Sequence, residues 1–176
     1  LAADTASLRD ALQWATAWSA PAGGFGRFAL KAQTSVNGGS MALSGVNVEL
    51  DGNVGEGVLQ IAGDGRKTVQ GTLAVEGLNL TPYAANLREL TGSDRGWNRH
   101  PISIAGLKGV DIDLRVSAAR VTMASIKLGR TAVTTNVRSG SLTLAIGESQ
   151  IFGGVAAGSL AFANAPHGAD VKVSLQ

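Results

Sequence analysis

Few side chains in this sequence are of the types that carry catalysis, and their positions do not bring them together. His100 precedes Pro101 and His167 follows Pro166, so both histidines lie in turn-like sequence. General acid-base catalysis needs a histidine held beside a substrate or a nucleophile. We therefore interpret His100 and His167 as exposed loop residues, and the sequence predicts neither a catalytic site nor an enzyme.

Asp111 and Asp113 have the spacing of a possible pair of carboxylates. Residues 110–116 alternate apolar and charged side chains, so as a strand they place both carboxylates on one face and the apolar side chains on the other. Carboxylates on a strand commonly pair with basic side chains of neighbouring strands. We expect cross-strand charge pairing here rather than acid-base chemistry.

Thiol, metal and phosphate chemistry are not indicated. The sequence has no cysteine, which excludes disulfides and thiolate catalysis. The acidic segment 51–56 lacks the ligand order of a calcium loop, and segment 63–68 lacks both the spacing of a P-loop and a following helix. We interpret both segments as hairpin turns and expect no cofactor and no metal.

Charge is unevenly distributed, although the formal net charge is only +2. Residues 95–138 contain eight lysines and arginines but only two acidic residues. Proteins that bind single-stranded nucleic acid combine such charge with aromatic side chains on which bases stack, and residues 98–151 contain no Phe, Tyr or Trp. We expect no nucleic-acid binding; the basic stretch fits a solvated face or a surface that meets anionic lipid head groups.

The elements that would position these residues are almost all strands. Glycine supplies 24 of the 176 residues, and turn pairs such as Asp51-Gly52 recur at short spacing. The pattern predicts a mainly β fold, an antiparallel curved meander sheet or β-groove with one or two short helices at about residues 5–19 and 82–91. The first helix would have Asp4 or Thr5 as its N-cap. The predicted strands include residues 40–50, 54–62, 68–80, 110–117, 120–128, 131–138, 141–146, 149–156, 159–162 and 171–175.

An internal repeat predicts curvature. Residues 39–48 are repeated as residues 71–80, and each copy shifts its apolar phase at an inner glycine, Gly45 or Gly77. Such a shift is typical of a β-bulge, which adds one residue to a strand and bends it while keeping one face apolar. We therefore expect bulges at both glycines.

The length fits one domain with a substantial core. No stretch has the roughly 18 apolar residues of a membrane-spanning helix, and the first residues do not resemble a signal peptide. Because the sequence starts at Leu1 and alternation continues to its end, we interpret it as a fragment of a larger chain, with any membrane anchor outside it. We divide the single β-rich region 1–176 into an N-terminal helix and linker (1–22), a first strand group (23–80), a helix and loop (81–101) and a second strand group (102–176).

What covers the apolar side of these strands decides between a core, a protein partner and lipid. Alternation shows that one side is apolar but not what lies against it, so a closed core and an open groove both remain. An acyl chain would need a continuous lining, because burial is worth roughly 0.8 kcal/mol per CH₂. The residues expected to form that lining are Val46, Val48, Leu50, Leu73, Val75, Leu78, Leu80, Ile112, Leu114, Val116, Met123, Leu142 and Leu144.

Several short motifs follow one another in an informative order. They are residues 57–63, 69–73 and 78–83, Trp97 before Pro101-Ile102, and then residues 106–117, 127–130, 140–144 and 151–158. In this order they resemble the C-terminal region of the AsmA family, over roughly residues 25–162.

The resemblance implies a non-enzymatic protein of the bacterial envelope, on the periplasmic face of the inner membrane and anchored by a helix outside these residues. It also implies a role in outer-membrane biogenesis, with phospholipid acyl chains as the partner and a curved β-groove that conducts them. The alternative is a β-rich structural or adhesion module of the cell envelope whose apolar faces form a closed core.

Overall fold

The structure is a computed structural model and describes residues 1–16, 23–63, 65–83, 109–151, 153–165 and 168–176. These residues form a mainly β fold with one eleven-stranded sheet, one α-helix and one 3-10 turn. The fold class expected from the sequence is confirmed. The elements are β1 (Ala2–Thr5), α1 (Leu8–Thr16), β2 (Phe28–Asn37), β3 (Ser40–Leu50), β4 (Asn53–Ala62), β5 (Lys67–Asn79), the 3-10 turn (Thr81–Tyr83), β6 (Val110–Met123), β7 (Ile126–Leu128), β8 (Thr131–Arg138), β9 (Ser141–Ile151), β10 (Gly154–Ala165) and β11 (Gly168–Leu175).

The order of strands in the sheet follows their order along the chain, except that β7 pairs with β6 beside the main path. Most neighbours are antiparallel and joined by tight turns; in one of them, Asp51 and Gly52 have φ values of 52° and 78°, as a type I′ hairpin turn requires. β5 and β6 run parallel. A parallel pair needs a long connection that returns the chain to the same end of the sheet, and this connection includes residues 84–108, which lie outside the described residues.

The bulge expected at Gly45 is present. The pairing of β3 with β4 shifts by one residue between Leu43 and Val46, and Gly45 has a φ of 56°. The extra residue keeps Leu43 and Val46 on the same side of the sheet, where they are 2% and 1% exposed. The register also shifts between Ile146 and Ser149 of β9, where the sequence did not predict a bulge.

The bulge expected at Gly77 is wrong for the pairing of β5 with β6. These strands keep one register from Val75 to Asn79. In β6, next to this part of β5, the alternation of buried positions shifts by one residue: Ala118 and Val121 are three residues apart, and both are buried. Because the alternation shifts at the same place in both strands, β5 and β6 stay paired without an extra residue in either strand.

Two expected strand breaks are also wrong. β6 is a single strand of 14 residues, where two strands, 110–117 and 120–128, were expected; the irregular alternation at Ala118-Ala119 reflects the phase change within the strand. β9 likewise continues through Gly147, where a break was expected, because the irregularity there is the bulge.

The N-terminal segment departs from the expected helix. Residues Ala2–Thr5 form β1, which pairs with the start of β2. The Leu1 ammonium group donates a hydrogen bond to the carbonyl oxygen of Ala32 at 2.8 Å. A four-residue edge strand held by its main chain is too short to show alternation, so the sequence pattern does not reveal it.

Helix α1 starts three residues later than expected. The Ser7 Oγ accepts a hydrogen bond from the Asp10 N–H at 3.2 Å, so Ser7 is the N-cap in place of Asp4 or Thr5. The described part of the helix ends at Thr16. Of the second expected helix, at residues 82–91, the described residues include only the end of the 3-10 turn.

The carboxylate of Asp51 ties three segments together at one end of the sheet. Its oxygens accept hydrogen bonds from the N–H groups of Phe25 and Gly26 at 2.9 and 2.8 Å, and the Tyr83 hydroxyl donates to the same carboxylate. The rings of Phe25 and Tyr83 meet edge to face with their centroids 5.8 Å apart. Burial raises the pKa of Tyr83, and the hydrogen bond to Asp51 and its negative charge raise it further, so the hydroxyl remains a donor.

Candidate functional site

One side of the sheet, which we call the apolar face, carries the shielded side chains of alternate positions. Directly paired residues of neighbouring strands point to the same side, so the strand register defines rows of side chains that run across the strands. We number these rows from the end of the strands at which the turn between β2 and β3 lies. Row 1 consists of Val36, Met41, Ile61, Val69, Ile112, Val137, Leu142, Phe162 and Val171.

Three further rows lie beside row 1 and are also mainly apolar. Row 2 is Thr34, Leu43, Leu59, Gly71, Leu114, Thr135, Leu144, Leu160 and Val173; row 3 is Val46, Gly57, Leu73, Val116, Val133, Ile146, Gly158 and Leu175; row 4 is Leu30, Val48, Gly55, Val75, Ala118, Thr131, Ser149 and Ala156.

Row 1 crosses nine strands without a polar side chain. Neighbouring strands are about 4.8 Å apart, so the row extends roughly 38 Å. That length exceeds the roughly 30 Å hydrocarbon thickness of a bilayer.

The strand registers place ten of the thirteen residues expected to line a groove on the apolar face: nine belong to rows 1 to 4, and Leu50 follows Val48 by two residues in β3. Leu78, Leu80 and Met123 lie beyond row 4, after the change of phase in β5 and β6, at the end of the sheet near Asp51. Val46 is 1% exposed, so it supports the surface without being open to a ligand. The other twelve are half-buried.

The most exposed apolar residues of this face were not among the expected lining residues. In β11, Val171, Val173 and Leu175 are 45%, 65% and 83% exposed, and Val36 in β2 is 70% exposed. The alternation of β11 could have identified its three residues. Sequence reasoning also left out the contributions of β4 and β8, which are Leu59, Ile61, Val133 and Val137.

Two polar side chains are buried within the apolar face. Thr131 and Ser149 are opposite each other in row 4, are 3% and 4% exposed, and have hydroxyl oxygens 2.8 Å apart. The Thr131 hydroxyl also donates to the carbonyl oxygen of Gly129 at 3.1 Å. Because both hydroxyls have partners, their burial costs little, and we interpret the pair as structural.

The opposite side, which we call the polar face, carries most of the charged side chains. The Arg66 Nε donates to Asp111 Oδ1 at 2.6 Å, and Arg120 lies 3.1 Å from Glu76. Asp111 therefore pairs with a basic side chain as expected, although Arg66 lies in the turn before β5 rather than on a strand. Asp113, between Gln70 and Asn136 on the neighbouring strands, has no ion pair with any residue that the structure describes.

The ionisation of Asp111 reflects these neighbours. Desolvation opposes the charged form, but the hydrogen bonds from the Arg66 side chain and the Ser139 N–H outweigh it, together with the charges of Arg66 and Arg138. They hold the pKa of Asp111 below its ordinary value. The carboxylate therefore serves charge pairing and is poorly suited to act as a base.

The polar face also contains two open depressions, of about 480 and 540 Å³. The first lies over β3 to β6 and includes Gln60, Gln70, Asp113 and Arg115. The second lies towards the opposite end of β4, β5 and β6 and includes Glu56 and Glu76. Among the described residues, neither depression is lined by a histidine or a cysteine.

Other kinds of site find no support in the described ranges. His100 and His167 lie outside them. Among the residues described, no group of three or more His, Asp or Glu side chains is placed to hold a metal ion. The described helices include none that is both long and apolar enough to cross a bilayer.

Comparison of the chain with protein-family models, with curated proteins and with solved structures finds no match. The strongest functional feature is therefore a property of the sheet itself. It is a continuous apolar surface that runs across the strands, backed by a charged face.

Proposed function

We propose that this chain is a non-enzymatic, AsmA-like segment of a bacterial envelope protein that handles phospholipid by holding acyl chains along the apolar face. It would act on the periplasmic side of the inner membrane, in outer-membrane biogenesis, with its membrane attachment outside these residues. The observation that carries the proposal is row 1, an unbroken apolar line across nine strands.

The energetics of lipid transfer require a surface of this kind. An acyl chain of about sixteen carbons loses on the order of 10 kcal/mol of favourable burial when it leaves a bilayer, at roughly 0.8 kcal/mol per CH₂. A few anchor residues cannot replace that amount. Along row 1 an acyl chain could move from strand to strand in contact with apolar side chains, with Val137, which is 1% exposed, supporting the row from beneath.

The polar face supports the same proposal from the other side of the sheet. Its ion pairs, Arg66 with Asp111 and Arg120 with Glu76, lie on side chains that remain 31% to 77% exposed. Such a face is solvated by water. A sheet with this asymmetry can lie between lipid on one side and the aqueous periplasm on the other.

Val173 and Val155 provide a matched test of the proposal. They are the same residue type and are 65% and 67% exposed, but Val173 lies on the apolar face and Val155 on the polar face. A photoreactive amino acid in place of Val173 or Leu114 should crosslink to phospholipid, both in vesicles and in bacterial cells, whereas one in place of Val155 should not. Equal labelling from both faces, or no adduct from either apolar-face position, would contradict the proposal.

A second candidate is a structural or adhesion module with a closed core. The observation in its favour is that Val46 and Val137 are each only 1% exposed, so parts of the apolar face are already shielded from water. The substitution Leu114→Asp separates the two candidates. In a closed core it should unfold the isolated chain, whereas a lipid-lined surface should keep its fold and lose phospholipid crosslinking.

A further inference from the structure

We propose that Lys67 binds the phosphate of a phospholipid head group while the acyl chains of that lipid lie on the apolar face. This role of Lys67 rests on the proposed function, to which it adds the position of the head group. A phosphate-binding residue beside row 1 would also favour phospholipids over apolar molecules that lack a phosphate.

Lys67 is the first residue of β5 and lies on the apolar side of the sheet. It is paired with Val110 of β6, and Val69, which belongs to row 1, follows it by two residues in the same strand. Side chains two residues apart in a strand point to the same side. Lys67 therefore lies at the margin of the apolar face, roughly 7 Å along the strand from row 1.

This position distinguishes Lys67 from the other charged residues near the rows. Among the described residues, the charged side chains that are paired within rows 1 to 4 all lie on the polar face; they are Lys31, Glu56, Asp113, Arg115, Glu148 and Lys172. At the opposite margin, β3 continues from Val48 in row 4 to Leu50, which is apolar. A positive charge therefore borders the apolar face beside row 1, and it favours an anionic head group at that end of the strands.

The charge of Lys67 is available to a ligand. The neighbouring cation, Arg66, is already paired, with its Nε 2.6 Å from Asp111 Oδ1. Lys67 is exposed and forms no ion pair with any residue that the structure describes. Lysine binds phosphate as a point charge. A phosphate at Lys67 would leave the attached acyl chains beside Val69 and the rest of row 1.

Glycines leave room for a head group beside Lys67. Continuing the pairing of Ala62 with Thr68 by one residue places Gly63 opposite Lys67, and the Gly63 N–H donates to the carbonyl oxygen of Gly39 at 2.9 Å. A Cβ at Gly63 would have one described neighbour within 4 Å, the Gly39 oxygen at 3.7 Å. Neither glycine has a side chain that could fill the space between Lys67 and the turn before β3.

Calorimetric binding of two short-chain lipids tests this role: phosphatidylglycerol and the diacylglycerol with the same acyl chains. Lys67→Ala should weaken the binding of phosphatidylglycerol by about fivefold, which is the usual contribution of one lysine near an anionic lipid. Lys67→Glu should weaken it further, and both variants should bind diacylglycerol as the original chain does. The difference should shrink at roughly 1 M salt, where the screening length is about 3 Å.

Lys31→Glu is the matched control, because Lys31 is an exposed lysine on the polar face. It should leave the binding of both lipids unchanged, and circular dichroism checks that every variant is folded. If the original chain binds both lipids and Lys67→Glu weakens neither, or weakens both equally, the role of Lys67 is overturned while the proposed function holds. If the original chain binds neither lipid, the proposed function fails and the role of Lys67 fails with it.

A phospholipid with a photoreactive group tests the position of the head group. With the reactive group on the head group, it should label peptides that contain Gly39 or Gly63, next to Lys67. With the reactive group on an acyl chain, it should label residues of rows 1 to 4. Labelling by the head group that is concentrated near Leu50, at the opposite margin, would overturn the assigned orientation.

Discussion

At the residue scale, a single carboxylate organises one end of the sheet. Asp51 occupies a hairpin turn at a φ of 52° and accepts hydrogen bonds from two main-chain N–H groups and from Tyr83. Asp is well suited to this position because it tolerates the left-handed region and its short side chain reaches nearby N–H groups. These hydrogen bonds of the Asp51 carboxylate join the β3–β4 turn to the segment before β2 and to the 3-10 turn after β5.

Tyr83→Phe removes the hydroxyl from this cluster and keeps the ring contact with Phe25. We expect a loss of about 1.5–3 kcal/mol in the free energy of unfolding at neutral pH, as for a hydrogen bond to a charged group. The folded-state pKa of Tyr83 is raised, so its contribution is present below the ordinary pKa of about 10 and is lost as pH rises towards the folded-state value. Denaturant unfolding across the alkaline range measures both effects.

The control uses the fact that the chain has one tyrosine. In Asp51→Asn, the turn residue still tolerates a positive φ, but its negative charge is removed. Because that charge raises the pKa of Tyr83, ultraviolet titration should find Tyr83 ionising at lower pH than in the original chain. Tyr83→Phe should also lack the extra alkaline destabilisation of the original chain. An unchanged titration in Asp51→Asn would show that Asp51 does not set the state of Tyr83.

At the element scale, alternation predicted the strands well and their interruptions poorly. The strands 40–50 and 131–138 have the expected bounds, and Gly45 marks a bulge. The same kind of irregularity at Gly77 is a phase change shared with β6, and at Gly147 it is a bulge within one strand. A local pattern reports that the phase changes, but whether the strand bulges, bends or ends depends on its neighbours.

The candidate site was predictable to a similar extent. Ten of the thirteen expected lining residues share one face by register, because the alternation of side chains in a strand determines the face. How far each is exposed was not predictable, since Val46 and Leu175, at 1% and 83%, belong to the same row. Exposure depends on what surrounds a strand in the sheet, and Val46 lies in β3 between β2 and β4.

Gly57 and Gly77 should respond differently to substitution by alanine. A Cβ at Gly57 would lie 2.0 Å from the main-chain oxygen of Thr72 in β5, whereas a Cβ at Gly77 would have no neighbour within 4 Å. We expect Gly57→Ala to cost about 2–3 kcal/mol because β4 and β5 must separate. Gly77→Ala should be neutral or stabilise by up to about 1 kcal/mol. Chemical denaturation of both variants makes the comparison, and equal effects would contradict the close approach of the two strands.

At the scale of the whole molecule, the sheet should open from its edges. Among the described residues, β1 has four residues and pairs with β2 alone, whereas β5 and β6 are long, lie in the interior of the sheet and pair with each other over most of their length. Amide hydrogen exchange of dilute protein should therefore be fastest in β1, slower in β3 and β9, and slowest in β5 and β6. Uniform protection across the sheet would show instead that it opens as one cooperative unit.

The agreement between strand order and chain order has a consequence for how such a sheet can change in length. Each hairpin contacts the hairpins next to it in sequence, and β5 and β6 differ from the other neighbours only in running parallel. Duplication or loss of one hairpin would lengthen or shorten the sheet by about 10 Å, since each strand adds about 4.8 Å. The remaining hairpins would keep their register and their apolar side. The length of the apolar face could therefore change by whole hairpins.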